Sequence, residues 1–113
     1  MHEMSLAMGV VDAIETEARK QGFQRVERIV LEIGALSCVD AHALEFGLEA
    51  VTKGTRSEGA AIEIVTPPGI AYCFDCQANV PISRKGESCP VCGSYQVVVT
   101  AGEEMTIKSL EVS

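Results

Sequence analysis

Positive charge and aromatic residues are scarce in this sequence. Nine Lys and Arg stand against sixteen Asp and Glu, which gives a formal net charge of −7, and Phe, Trp and Tyr together make up 4% of the 113 residues. Nucleic-acid phosphates are bound by a surplus of cations, and single strands also stack on aromatic side chains. The composition therefore argues against a nucleic acid as the main partner. It fits either ordinary solubility or a protein that handles cations or contacts a basic protein surface.

The sequence also lacks long apolar runs and the motifs of common enzymes. No run approaches the roughly 20 apolar residues of a membrane helix, and the first residues show neither the basic region nor the apolar stretch of a signal peptide. We therefore expect a cytoplasmic protein that makes no membrane contact. There is no Ser/His/Asp set and no glycine-rich phosphate loop, so we expect no enzymatic activity.

Apolar residues are nevertheless plentiful, at 47% of the chain, so the protein can bury a core. Their helical spacing predicts a first helix over residues 4–20. A second helix is predicted to carry Leu44 and Leu48, and either Ser37 or Asp40 can cap it.

Alternation of apolar and polar residues predicts three strands, over residues 26–33, 61–66 and 105–112. Two helices and three strands in this order indicate an α+β fold. It consists of a small three-stranded sheet with two helices and an inserted four-cysteine, zinc-ribbon-like module. The predicted domains are an α+β domain over residues 1–68 and 103–113 and a module over residues 69–102.

Cysteine is the informative residue type. Four of the five cysteines form the pairs Cys73-Phe-Asp-Cys76 and Cys89-Pro-Val-Cys92. A two-residue spacing lets both thiolates of one turn bind the same ion, and two such turns complete the tetrahedral site that zinc prefers. The alternative is a pair of redox motifs, but these occur in a βαβ context that this region lacks. Four thiolates leave no open position on zinc, so we expect a structural site, and we expect Cys38 to be a small buried apolar residue.

The first three residues, Met1, His2 and Glu3, form a second candidate metal site. The first helix begins so close to the start of the sequence that they lie at the end of a packed element. The α-amine, the backbone nitrogens of His2 and Glu3, and the imidazole of His2 provide several nitrogen donors, which suit Ni(II) or Cu(II). Glu3 adds a carboxylate ligand or simply favours the positive end of the helix, and Asp40 is either a further ligand or a helix cap. A capped helix start without metal is the alternative.

Several of these stretches together resemble the HypA/HybF hydrogenase maturation factors. They are the initial Met-His-Glu, the segment Leu-Glu-Ile-Gly-Ala-Leu-Ser at 31–37, the two cysteine pairs, and Met-Thr-Ile-Lys-Ser-Leu-Glu-Val at 105–112. The resemblance runs from residue 1 to residue 112. It implies that Met1, through its amine, together with His2 and Glu3, forms a nickel site in the α+β domain. It also implies that Cys73, Cys76, Cys89 and Cys92 bind zinc.

The resemblance implies the function of a nickel metallochaperone. Such a protein delivers Ni(II) to the precursor of the [NiFe]-hydrogenase large subunit together with the GTPase HypB, and some members also serve urease. The oligomeric state, monomer or homodimer, stays open. The alternative function is a zinc-ribbon module that binds protein or nucleic acid without delivering nickel.

Overall fold

The computed structural model describes residues 3–113, which form two compact units. The helical unit contains the described residues up to Leu31, together with Val39–Ile64 and Ile107–Ser113. The cysteine unit contains Glu32–Cys38 and Val65–Thr106. The elements in chain order are α1 Glu3–Gln21, β1 Val26–Ile33, α2 Ala41–Val51, β2 Ala61–Val65, β3 Gly69–Cys73, β4 Ala78–Ile82, β5 Val97–Ala101 and β6 Met105–Val112.

The predicted α+β class is confirmed, with a second sheet that the sequence did not show. One three-stranded sheet has the order β2-β1-β6, and the other has the order β4-β3-β5. The module predicted over residues 69–102 supplies all three strands of the second sheet. Its independence as a folding domain remains a prediction.

In the helical unit α1 and α2 pack against each other, and both helices and the central strand β1 bury apolar side chains. Arg25 and Ser113 exchange two backbone hydrogen bonds, of 3.3 and 2.9 Å, at the start of β1 and the end of β6, so these two strands are antiparallel. Ten apolar residues are buried in the part of this unit that the structure describes: Ala7, Val10, Val11, Ile14 and Ala18 of α1, Val26, Ile29 and Leu31 of β1, and Leu44 and Leu48 of α2.

Local sequence signals fix the helix ends. The Gly22 N–H donates to the Ala18 carbonyl at 2.8 Å, and Gly22 has φ 81°, the left-handed conformation that commonly closes a helix. Of the two candidate caps for α2, the structure uses Asp40, whose carboxylate accepts a 3.1 Å hydrogen bond from the Ala43 N–H. Of the described residues, neither helix combines the length and the apolarity that crossing a bilayer would require.

The cysteine unit has a smaller core beneath an antiparallel sheet. Its buried cluster contains Leu36, Ala71, Cys73, Val80, Ile82 and Cys89. Cys38 does not belong to this core, because its side chain is exposed and its backbone has φ 61°. The expectation that Cys38 is buried was therefore wrong: the residue occupies a tight left-handed position in the loop after Leu36 rather than a packed strand.

Three glycines from three separate segments of the cysteine unit meet at close range. A Cβ atom on Gly34 would overlap the carbonyl group of Gly102, and one on Gly69 would lie 2.7 Å from the Ile82 carbonyl oxygen. Gly102 itself has φ 95° and packs against Gly69. The Leu36 N–H donates to the Gly102 carbonyl at 2.8 Å. Only glycine allows three backbones to approach this closely.

Candidate metal centres

The four paired cysteines converge in the structure as their spacing predicts. The Sγ atoms of Cys73 and Cys92 are 3.6 Å apart, those of Cys76 and Cys89 are 3.8 Å apart, and all four sulfurs lie within 4.8 Å of one another. A tetrahedral zinc with Zn–S bonds of about 2.3 Å requires sulfurs about 3.8 Å apart. The donor set and its dimensions therefore fit zinc.

Two tight turns place these sulfurs. Cys73 ends β3, and the Cys76 N–H points back to the Cys73 sulfur at 3.4 Å. In the second turn the Val91 N–H lies 3.4 Å from the Cys89 sulfur in the same way. Backbone N–H groups directed at sulfur stabilise the negative thiolate, which is the form that binds metal.

The surroundings of the cluster shift the pKa values of two of its cysteines in opposite directions. Hydrogen bonds from the backbone N–H groups of Cys92 and Val91 lower the pKa of Cys89 to about 7. Two main effects raise the pKa of Cys76 to about 12: the larger is its hydrogen bond with the Cys92 thiol, and the smaller is burial. Thiolates this close repel one another, so the state with four thiolates requires a cation at the centre.

The cluster is closed on one side and accessible on the other. Cys73 and Cys89 belong to the buried core, whereas Cys92 is exposed. All four protein ligands of a tetrahedral ion are present, so no position remains for a substrate or a reactive water. Of the described residues, these four cysteines are the one group of at least three ligating side chains that could hold a single metal ion.

Of the three residues predicted to form the nickel site, Glu3 is described, whereas Met1 and His2 lie outside the described residues. Glu3 is the first residue of α1, and its carboxylate accepts a 3.1 Å hydrogen bond from the Asp40 N–H. This hydrogen bond is the largest of the effects that lower the pKa of Glu3. Glu3 therefore carries its negative charge at neutral pH and is held at the start of α2.

Asp40 lies beside Glu3, but its carboxylate already accepts the hydrogen bond from the Ala43 N–H that caps α2. Its backbone contacts Glu3 and its side chain caps α2. The sequence contained the signal for the cap, an aspartate three residues before the Ala43 N–H, but no signal for the contact over 37 positions. His42, the second histidine of the chain, is exposed on α2.

A family model described as "Hydrogenase/urease nickel incorporation, metallochaperone, hypA" matches residues 1–112. The chain belongs to the HypA family. The hydrogenase maturation factor HypA of Azotobacter chroococcum mcd 1 is 49% identical over 112 residues, 99% of each chain. HypA of Bradyrhizobium sp. (strain ORS 278) is 51% identical with the same coverage.

Solved structures of the HypA family share this fold. The solution structure of the Ni metallochaperone HypA from Helicobacter pylori is 28% identical, with a TM-score of 0.72 over 99% of this chain and 97% of that chain. The family confirms the resemblance and the predicted function: the chain is a nickel metallochaperone for hydrogenase or urease maturation. It is a maturation factor without catalytic activity of its own, as the sequence analysis predicted.

Proposed function

We propose that this chain takes up Ni(II) at its first three residues and passes it to the precursor of the [NiFe]-hydrogenase large subunit. The proposed ligands are the α-amine of Met1, the backbone nitrogen and imidazole of His2, and the backbone nitrogen of Glu3. Nitrogen donors of this kind suit Ni(II) in a tetragonal plane. Nickel ligands in the first three residues can be replaced one at a time by ligands of the acceptor protein, as transfer of the ion requires.

The position of Glu3 carries this proposal. Glu3 opens α1, and the first N–H groups of a helix have no intrahelical acceptor. Its backbone nitrogen can therefore lose its proton and bind nickel without breaking the helix ladder. Its carboxylate is held by the Asp40 N–H, which keeps a negative charge close to the cation. We propose that this carboxylate orients and balances the site, and that it is available as an additional ligand.

We further propose that Cys73, Cys76, Cys89 and Cys92 hold a zinc ion whose role is structural. The sulfur spacing supports this assignment, and the cysteine unit has few other buried residues to stabilise it. We place the protein in the cytoplasm, because none of its cysteines forms a disulfide and that compartment keeps thiols reduced and able to bind metal.

The proposed partners are a HypB-type GTPase, the hydrogenase large-subunit precursor and, for self-association, a second copy in a homodimer. For the GTPase we propose a surface on α1. Met4 and Met8 lie one helical turn apart on this helix and are 46% and 54% exposed. Exposed methionines form adaptable apolar contacts, as a surface that binds and releases a partner requires.

The test is a calorimetric nickel titration of the zinc-loaded full chain in four forms: native, acetylated at the amine, with one Gly inserted between Met1 and His2, and His2→Ala. Acetylation removes one nitrogen donor, and the insertion changes the chelate ring sizes while keeping every side chain. Each of the three changes should weaken nickel binding at least tenfold, or about 1.4 kcal/mol.

His42→Ala is the matched control, because it removes the other histidine and should leave nickel affinity unchanged. Zinc content, measured by metal analysis, should be the same in all five proteins. An acetylated protein that binds nickel as tightly as the native one would exclude the amine as a ligand. A native protein that binds zinc but no nickel would instead support the zinc-ribbon binding module.

A further inference from the structure

Four strands lie at sheet edges in the described residues, and they differ in how their free backbone is protected. β2 carries Glu63, β6 carries Lys108 and Glu111, and β4 carries Pro81. Charged residues and proline on an edge strand prevent pairing with another chain. β5 reads Val-Val-Val-Thr-Ala and has neither a charged residue nor a proline.

The free backbone groups of β5 belong to Val97 and Val99. β5 runs antiparallel to β3, and the Phe74 N–H donates to the Gln96 carbonyl at 2.9 Å. Successive residues of an antiparallel strand direct their N–H and C=O groups to opposite sides. Because Gln96 and Val98 face β3, the N–H and C=O groups of Val97 and Val99 face the open edge. They form a short row of donors and acceptors that another strand can use.

The outer face of this sheet is apolar beside the same edge. Val98 lies opposite Tyr72 in the strand pairing, and the rings of Tyr72 and Phe74 pack edge to face with centroids 5.2 Å apart. Phe74 is 55% exposed and Val98 is 48% exposed. A strand added to β5 would place alternate side chains next to Val98, where their apolar surface is removed from water.

At its far end the edge of β5 borders an acidic cavity. The cavity, of about 350 Å³, is lined by residues 99–102 and by Glu32, Glu103 and Glu104 among others. The Lys85 ammonium lies 3.6 Å from the Glu103 carboxylate and offsets one of these three negative charges. The cavity therefore stays negative and favours a cation on whatever segment lies along β5.

We propose that the open edge of β5 is a docking site for an extended segment of a partner protein in which apolar, β-forming residues end in a lysine or arginine. The segment adds a fourth strand to the β4-β3-β5 sheet through the free groups of Val97 and Val99. Its apolar side chains cover Val98, and its basic side chain enters the cavity of Glu32 and Glu104. Recognition by strand addition takes affinity from the main chain and specificity from alternate side chains.

A second copy of this chain is a poorer occupant than a basic-ended segment. Each copy carries a formal net charge of −7, and the continuation of its own β5 past Ala101 brings Glu103 and Glu104 rather than a cation. Like charges brought together oppose association. The docking site uses neither the proposed nickel ligands nor the cysteines, so it can fail while nickel delivery stands, and the reverse.

Peptide binding to the zinc-loaded full chain tests this proposal. The probe is a labelled peptide Lys-Val-Thr-Val-Thr-Val-Lys, with binding followed by fluorescence anisotropy and by amide hydrogen exchange. Saturating peptide should slow exchange at Val97 and Val99 by at least about tenfold, because their N–H groups gain acceptors. The Val98 N–H already faces β3, and its exchange should stay unchanged. Unchanged exchange at Val97 and Val99 in a saturated complex would overturn the proposal.

Two comparisons test the role of charge, and N-methylated peptides test whether alternate backbone groups of the peptide pair with β5. A peptide with Glu in place of both Lys, and the variant Glu32→Gln/Glu104→Gln with the original peptide, should each bind at least about tenfold more weakly. N-methylation of the peptide at one alternate set of residues should abolish binding, and methylation of the other set should not. Equal binding of the Lys-ended and Glu-ended peptides would refute the basic-ended segment. A homodimer that the peptide dissociates would identify the second copy as the occupant and overturn the proposal.

Discussion

The core of the helical unit contains ten buried apolar residues from two helices and a strand, whereas the cluster of the cysteine unit contains six buried residues, of which two are the sulfur donors Cys73 and Cys89. In the first unit, stability comes from apolar surface removed from water. In the second, the proposed metal ligands are themselves part of the core. A substitution or treatment should therefore destabilise mainly the unit whose source of stability it removes: apolar packing in the helical unit, or the metal in the cysteine unit.

The largest difference between the units is expected on removal of zinc. Chelation of the metal, or Cys73→Ala, should abolish amide-exchange protection in β3, β4 and β5, because a small metal-linked module folds with its metal. Protection in α1, α2 and β1 should persist, since their core contains no ligand. The measurement is residue-resolved hydrogen exchange, together with zinc analysis.

Cys38→Ala is the control for zinc removal, because Cys38 is exposed and stands outside the cluster. It should retain zinc and leave both units protected. If chelation also unfolds α1 and α2, the two units do not differ in the way their cores indicate, and the boundary predicted at residues 69–102 does not separate an independent module.

A smaller effect is expected from filling the close approach between backbones in the cysteine unit. Gly34→Ala places a methyl group against the Gly102 carbonyl, which cannot move as a flexible side chain could. We expect the free energy of unfolding to fall by about 1–3 kcal/mol, the usual cost of overpacking, with protection lost first in the cysteine unit. Urea unfolding of the zinc-loaded protein measures the change.

Gly9→Ala is the matched substitution in the helical unit. Gly9 lies within α1, and a Cβ atom there would meet no atom within 4 Å. This change should stabilise the protein by up to about 1 kcal/mol, because alanine is the better helix former. If Gly34→Ala is as well tolerated as Gly9→Ala, the three glycines do not restrict the packing of the cysteine unit.

The same contrast explains what could be predicted from the sequence. The helical unit depends on local patterns: apolar spacing for α1, alternation for β1, whose predicted bounds 26–33 match the structure, and an aspartate cap for α2. The four-cysteine cluster was predictable because zinc sites have a fixed spacing.

The features that escaped prediction depend on contacts between distant positions. The meeting of Gly34, Gly69 and Gly102 joins three segments, and no local pattern marks it. The assignment of Glu32–Cys38 to the cysteine unit has the same origin, as does the exposure of Cys38 in a left-handed loop. The contact between Glu3 and Asp40 also spans 37 positions.

The smallest expected effect concerns Asp40, where capping and metal binding make different demands on one carboxylate. As a cap, Asp40 accepts from the Ala43 N–H, and asparagine can do the same. Asp40→Ala should therefore lower the free energy of unfolding by about 1 kcal/mol, whereas Asp40→Asn should leave it nearly unchanged. Both variants keep the backbone N–H that holds Glu3, so we expect native nickel affinity in both.

Urea unfolding and nickel titration of the two variants separate the roles. If Asp40→Asn keeps full stability but binds nickel at least tenfold more weakly, about 1.4 kcal/mol, the lost interaction is with the metal, because the amide replaces a charged donor and preserves the cap. Asp40 would then belong to the nickel site, and its cap would be released on loading. Unchanged nickel affinity in both variants would restrict Asp40 to holding Glu3 through its backbone and α2 through its side chain.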